Sequence, residues 1–376
     1  MSNRVNGATW LDPGELAKPQ WQLRDDAGQV AGLFLGHHNG RAVGSTDDRP
    51  VVTIAGAASG KGACLLVPNL LMYDGSALVI DIGGDLARVT AAARRKKRQK
   101  IVVLDPFGVS DQRTGHYNPL AELNSDDHDI KDQAALIADA LIIANQHDAY
   151  WTDQAKMLVK ALVLLTLTMP EQEQNLSTSW QLLTGTHPAV DSIARRYEID
   201  RRSALLKLMA ASYGIFDNTV AVAGSQLLAM AERHVASVFS TAQTQLSFLD
   251  NPAMADVLAT SEFRLSELKT GRATLYLCLP ATRLEAYARW LRIIISQAVL
   301  AFKRTTAKPD IPTLLVLDYF ASLGRLKAIE VPQALPSLGL RPWLLVNSLA
   351  EVKRELGDNW EAFVAQAGVS DGLVQR

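Results

Sequence analysis

The sequence predicts an α/β protein in which helices cover a mostly parallel central sheet and one all-α domain interrupts the strand pattern. Three observations carry this expectation. Short apolar runs recur at residues 51–54, 77–80, 101–104, 274–279, 313–317 and 343–346, each closed by a polar or turn residue. Runs that are apolar on both faces suit strands buried in a parallel sheet, and the helical stretches between them supply the cover. From residue 125 to residue 265 only helical periodicity remains. Finally, a glycine-rich stretch directly follows the first apolar run.

The chain has 376 residues, enough for one large domain with an insertion or for two domains. Its 48% hydrophobic and 20% charged residues fit a globular protein throughout. The net charge of −1 gives no global attraction to nucleic acid, so any such surface must be local. Cys64 and Cys278 lie far apart in apolar surroundings, as expected of a reduced chain. The N-terminus lacks the apolar core of a signal peptide. The apolar stretches 161–167, 293–295 and 298–302 are too short or interrupted to cross a bilayer, so a soluble chain is expected.

In order along the chain, residues 1–50 read as a turn-rich lead-in with Pro13, Pro19 and the turn His37-His38-Asn39-Gly40. A discontinuous sheet domain takes residues 51–124 and 266–376, and the all-α domain takes 125–265. Helices are expected there at 130–145, 150–168, 190–198, 201–212 and 218–249, punctuated by Pro170, the stretch 185–188 and Pro252.

The glycine-rich stretch is Ala55-Gly56-Ala57-Ala58-Ser59-Gly60-Lys61-Gly62, with Ala63 opening the next helix. Successive backbone N–H groups of such a loop point inward, and the helix behind it presents its positive end, which makes a phosphate cradle. Lys61 is placed to reach the β- and γ-phosphates of a nucleoside triphosphate. Two positions depart from the motif. Ala55 replaces its first glycine, and Gly62 stands where a Ser or Thr hydroxyl usually meets Mg²⁺. A magnesium ion needs an anionic oxygen nearby, and the buried run 313–317 ends in Asp318, at the strand edge where α/β folds place ligands. Tyr319 follows, where a hydrolysing motor keeps a carboxylate to activate water. A phenol with a pKa near ~10 is a poor base, so nucleotide binding is better supported than turnover.

Taken with the loop, an ordered set of strings resembles the type IV secretion coupling proteins, the conjugative-transfer ATPases. These are Gly60-Lys61-Gly62, Val67-Pro68-Asn69-Leu70-Leu71, Asp81-Ile82-Gly83-Gly84-Asp85, Asp105-Pro106-Phe107, Asn118-Pro119-Leu120 and Tyr150-Trp151. The set continues with Leu317-Asp318-Tyr319-Phe320-Ala321-Ser322-Leu323-Gly324-Arg325-Leu326, Asn347-Ser348-Leu349-Ala350-Glu351 and Gly357-Asp358-Asn359-Trp360. The resemblance implies a RecA-like P-loop motor domain that binds ATP and Mg²⁺, carries an inserted all-α domain and assembles as a homo-oligomer, usually a hexameric ring. It also implies DNA and protein substrates, relaxase-type and secretion-channel partners, and a cytoplasmic place, peripheral at the inner membrane. Members usually carry an N-terminal membrane anchor, for which this chain shows no segment.

Against that pattern, Ala55, Tyr319 and Asn347 depart at catalytic positions, Asn347 replacing the glutamine that usually senses the γ-phosphate, and Gly83 stands where a lysine is common. The cluster implies a slow or inactive hydrolase. Arg341 is the favoured arginine to complete a neighbouring subunit's site, with Arg325 next; a solvated surface arginine is the plain alternative for each. The run Arg94-Arg95-Lys96-Lys97-Arg98-Gln99-Lys100 either tracks nucleic-acid phosphates or forms a solvated helix end. The histidines show no metal-ligand spacing, and Tyr150, Trp151, Trp180 and Trp290 suit helix packing. Two readings stay open: a DNA-stimulated coupling ATPase, or a nucleotide-binding adaptor that recruits secretion substrates without hydrolysis. An unrelated P-loop kinase is disfavoured by the large helical block. Both favoured readings require residues 59–62 and Asp318 to converge from neighbouring strand ends.

Overall fold

Seven parallel strands build the sheet that the apolar runs call for. The computed structural model describes residues 4–5, 8–9, 14, 16, 21–56, 59–143, 149–324, 326–329, 334–357, 360–361, 367 and 369–373. A hairpin of β1 (Leu33–His38) and β2 (Arg41–Ser45) turns at Asn39-Gly40, both in the left-handed region. The sheet strands follow as β3 (Val51–Ala55), β4 (Ala77–Ile82), β5 (Lys100–Leu104), β6 (Ala273–Leu279), β7 (Thr313–Leu317), β8 (Leu340–Val346) and β9 (Val369–Leu373). Their spatial order is β9-β3-β8-β7-β4-β6-β5, and every adjacent pair is parallel.

Strands β6, β7 and β8 are buried at every residue, which explains the largely apolar sequences of β6 and β7 and of β8 from Trp343 onward. Strand β9 was not expected: its sequence Val-Ser-Asp-Gly-Leu carries no apolar run. The loop strand β3 and the acid strand β7 are also not neighbours, contrary to expectation, because β8 lies between them. Leu344 of β8 sits opposite Leu317, while Val346 sits opposite Ile54, so the three strands end together at one edge. Trp343, fully buried in β8, donates its indole N–H to Thr53 Oγ1 at 2.9 Å and ties β8 to β3.

The described chain divides into two units. The sheet unit comprises Met1–Gly115, Arg264–Glu285 and Ala298–Arg376; the helical unit comprises His116–Phe263 and Ala286–Gln297. In the sheet unit, Asp81 ends its β4 run by accepting the amides of Leu86 (3.1 Å) and Ala87 (2.7 Å), which starts the helix Asp85–Lys96. Gly84 before that helix has φ +77, and a Cβ there would meet Ser110 N at 2.7 Å, so only glycine fits. Asp105, after β5, holds that facing turn by accepting from Val109 N, Ser110 N and Ser110 Oγ. The two sequence strings beginning at Asp81 and Asp105 therefore build turns that pack on one another.

The helical unit contains helices Ile130–Leu141, Ala149–Thr166, Leu176–Thr184, Pro188–Tyr197, Arg201–Ala210, Thr219–Leu228, Glu232–Leu246 and Pro252–Val257. Short polar side chains start several of them: Asn175 accepts from Thr178 N, Asp200 from Ser203 N and Asn251 from Ala253 N. Gly224 lets the helix Thr219–Leu228 close on Arg201–Ala210, since a Cβ would stand 2.6 Å from Ala210 N. The single helix expected over 218–249 is instead broken near Ala231, where no side-chain cap marks the break in the sequence. Trp290 is fully buried as expected, but Tyr150 is 54% exposed and stacks edge-on against Trp151.

Candidate functional site

The site is assembled where β3, β8 and β7 end. After Ala55 the chain turns through Gly56, where Ser59 N donates to Gly56 O at 3.2 Å. Gly60 takes φ +83, a conformation that an L side chain resists. The helix that follows opens with a π-type turn, Gly62–Leu66, before the α-helical stretch Val67–Met72. Such turns interrupt the ordinary backbone ladder and recur at functional sites. Ala57 and Ala58 lie outside the described residues.

Lys61 is the centre. Its Nζ stands 3.3 Å from Asp318 Oδ1 and 3.3 Å from Asn347 Oδ1, and 5.4 Å from the centre of the Tyr319 ring. The Lys61 and Asp318 side chains are only 15% and 13% exposed, so their charges meet with little water between them. Burial raises the Asp318 carboxyl above the ordinary carboxylate range, and Lys61 opposes that rise. Asp318 Oδ1 also accepts from Tyr319 N at 3.0 Å. Tyr319 itself is left-handed at φ 57, an uncommon and strained state for a bulky residue, and its side chain stays partly exposed. Asn347, one residue past β8, is fixed from behind: Glu351 accepts its backbone N–H at 2.8 Å and its side-chain amide at 3.2 Å.

Whether these residues suit a magnesium-bound polyphosphate can be tested on their own unmet needs. Ser59 Oγ is buried and has no hydrogen-bond partner among the described residues. Nothing stands within 4 Å of a Cβ built at Gly56 or Gly62, so the loop faces open space. An unpartnered hydroxyl, a shielded ammonium and a carboxylate beside an open loop fit an anion that carries a divalent ion.

Arg341 is a correction. It lies inside β8, is 1% exposed, and both terminal guanidinium nitrogens donate to Ser45 O at 3.1 Å. It opens the strand that Asn347 closes, so about five residues of extended chain, roughly 17 Å, separate it from the loop edge. A guanidinium sealed this way cannot reach a neighbour's nucleotide. Arg325 lies outside the described residues.

The basic run is likewise divided. Arg94 is fully buried and donates to Leu70 O, Tyr73 O and Gly75 O, while Lys97 binds Met72 O and Asp74. Lys100 pairs with Glu267 and Arg95 with Gln112. Arg94 and Lys97 thus serve the fold, while Arg95, Lys96, Arg98 and Lys100 are exposed.

Sequence reasoning missed the role of Glu351. The pattern Ser348-Leu349-Ala350-Glu351 is a capping box, and Ser348 Oγ does accept from Glu351 N at 3.3 Å. That pattern marked a helix start, but nothing in it said that the carboxylate would also turn back onto Asn347.

Known proteins share this architecture. The bacterial conjugative coupling protein TrwB superposes with a TM-score of 0.68 at 15% identity, covering 96% of this chain and 77% of that one. A TrwB structure in complex with ADP and Mg²⁺ superposes with a TM-score of 0.63 over 92% of this chain and 75% of that one, also at 15% identity. At such identities the likeness establishes the fold, a RecA-like P-loop arrangement. In sequence, the chain is 26% identical over 328 residues to the conjugal transfer protein TraG of Escherichia coli, covering 82% of this chain and 49% of TraG. It is 26% identical over 291 residues to the type IV secretion system-coupling protein VirD4 of Bartonella quintana (strain Toulouse), covering 74% of this chain and 43% of VirD4. The chain thus spans about half the length of the curated relatives it matches. Because the family described as type IV secretory system conjugative DNA transfer matches residues 9–354, nearly the whole chain, the protein belongs to that family.

Proposed function

We propose that the chain binds ATP with Mg²⁺ at the loop of residues 55–63 and works as a coupling ATPase that recruits or pumps DNA or protein substrate to a secretion channel. The observation that carries this reading is the meeting of Lys61, Asp318 and Asn347 from three strand ends around one open loop. Lys61 and the backbone amides of Gly60 to Ala63 would hold the phosphates, the Ser59 hydroxyl would gain its partner, and Asp318 would face the ion. Magnesium, when bound, supplies charge neutralisation at the phosphates. The TrwB complex with ADP and Mg²⁺ supports this assignment by fold.

The chain's own residues favour slow hydrolysis. Tyr319 brings a ring, not a carboxylate, beside Lys61, and Gly62 brings no hydroxyl. A second reading, a nucleotide-binding adaptor without turnover, rests on the departures at Ala55, Tyr319 and Asn347. Relaxase-type and channel partners, a homo-oligomeric or hexameric ring, and a cytoplasmic place at the membrane face belong to the same proposal. Among the described residues, no helix is long and apolar enough to cross a membrane.

Calorimetry tests the core. The chain should bind a non-hydrolysable ATP analogue with Mg²⁺, and Lys61→Ala should weaken binding by about a hundredfold, the scale of losing a charge-assisted contact to phosphate. Absence of binding by the unchanged chain would sink the nucleotide reading. Tyr319→Glu separates the two functions. It should raise basal ATPase by at least about tenfold if the missing base limits turnover, and an unchanged rate favours the adaptor.

A further inference from the structure

We propose that Glu351 is a positioning residue that fixes the polarity of the Asn347 side-chain amide, so that the site presents a hydrogen-bond acceptor, and not a donor, at this position. This rests on the nucleotide reading for its consequence, but its geometry stands in the protein by itself. An ammonium can only donate and an ionised carboxylate can only accept. Asn347 lies between one of each: its Oδ1 is 3.3 Å from Lys61 Nζ, and its Nδ2 donates to Glu351 Oε1 at 3.2 Å. Turning the amide over would set NH₂ against ammonium and oxygen against carboxylate, so only one orientation is compatible with both neighbours. The second carboxylate oxygen of Glu351 accepts Asn347 N at 2.8 Å and holds the backbone as well.

The consequence alters the role expected for position 347. A sensor of a terminal phosphate must donate to a phosphate oxygen, and here the NH₂ group of Asn347 is turned toward Glu351, which takes one of its two hydrogens, while the oxygen faces Lys61. Asn347 instead tethers Lys61 and offers an acceptor to the loop edge, where it can accept a hydrogen bond from a water or from Lys61. Among the described residues, the side-chain hydrogen bonds of Glu351 go to Asn347 and not to the loop. It acts through Asn347, which is why replacing the carboxylate with an amide is the informative change. A glutamine at 351 can present NH₂ toward Asn347, so that once a bound phosphate draws Lys61 away the amide is free to turn over and direct its donor inward.

The test has two arms. In the protein without nucleotide, the side-chain NH₂ signal of Asn347, identified by its loss in Asn347→Ala, should be shifted and slow to exchange, and Glu351→Gln should abolish that protection. This arm needs no ligand. Protection that survives in Glu351→Gln overturns the inference whatever the site binds. In the second arm, calorimetry compares a non-hydrolysable ATP analogue with ADP, each with Mg²⁺. Glu351→Gln should raise the preference for the triphosphate by roughly tenfold, the effect of one new hydrogen bond to a charged group. Glu351→Ala, which frees the amide without reversing it, should fall between. A residue that served only as a helix cap would lower the melting temperature in both variants and leave the preference unchanged, which also overturns the inference. If the first arm succeeds and no nucleotide binds, the positioning role stands and the nucleotide reading fails.

Discussion

The two units handle buried charge differently. In the sheet unit Asp81, Arg94, Asp105, Lys269 and Arg341 are all nearly inaccessible; in the helical unit the comparable side chains are Arg292 and His187. Three of the sheet-unit charges, Asp81, Arg94 and Lys269, share a task. Asp81 takes amides at the start of the helix Asp85–Lys96, and Arg94 takes carbonyls at and beyond the end of Val67–Met72. Lys269 takes the Phe302 and Thr305 carbonyls at the end of the helix Leu284–Arg304. Anions meet helix starts and cations meet helix ends, in the sense the helix dipole favours. A parallel sheet forces every connection to begin and end at its rims, so orphan backbone groups gather there. The helical unit answers the same need mostly with Asn175, Asn251 and the left-handed cap Gly185. Against this background Lys61 and Asp318 differ. Their charges face each other, and no helix-end carbonyl is bound to Lys61 among the described residues. Lys61 and Asp318 thus face one another beside an open loop, whereas Arg341 and Asp105 are spent on the chain's own Ser45 carbonyl and on the turn at Val109 and Ser110.

The largest effect should come from breaking one of the structural charges. Arg94→Met removes the guanidinium donors from Leu70 O and Thr274 Oγ1, and leaves Gly75 O and Gln99 Oε1 with only their bonds from Gln99 Nε2 and Thr274 Oγ1. The expected destabilisation is about 4 kcal/mol, the range for removing one member of a buried polar network. It should appear as faster amide exchange in β4 and β6. Arg292→Met removes bonds to Asp139 O and Ala140 O in the helical unit and should be less severe, about 2 kcal/mol. Equal losses in the two variants would remove the contrast between the units.

Legibility in the sequence follows the same division. The strands of the sheet unit were readable because burial on both faces leaves no polar residue to blur the run, as in β6 and β7. Strand β9 escaped because Ser370, Asp371 and Gly372 break that pattern. Helices were readable by period, yet their breaks were not, since the step at Ala231 is set by packing and not by a capping residue. The loop and Asp318 were readable because phosphate and ion chemistry restrict residue types at fixed spacing. Arg341 was misread because sequence reports that an arginine is present and not that a strand will bury it. Glu351 was visible only as part of a helix start, because its partner Asn347 acquires meaning only when Lys61 arrives from 286 positions away.

The smallest effect on stability at neutral pH, and the finest test of the contrast, is at Asp81. Burial pushes its carboxyl up to about 6 from an ordinary 3.8, against the pull of the Ala87 and Leu86 amides, and the Cys278 thiol lies 3.7 Å away. A carboxyl whose pKa is higher in the folded state binds its proton more tightly there. Its contribution to stability is therefore complete below pH 3.8 and is lost as pH rises through about 6. The full excursion is worth about 3 kcal/mol at 1.36 kcal/mol per unit. Asp81→Asn keeps one acceptor for the helix start and removes the ionisation. Its stability near neutrality should stay within about 1 kcal/mol of the unchanged chain, because the lost acceptor offsets the relieved burial of charge. Between pH 4 and 6, however, the downward slope of urea-unfolding stability attributable to this carboxyl should vanish. If the slope persists in Asp81→Asn, the charge at the helix start is better solvated than its burial implies, and the sheet unit does not carry the load that separates it from the helical one.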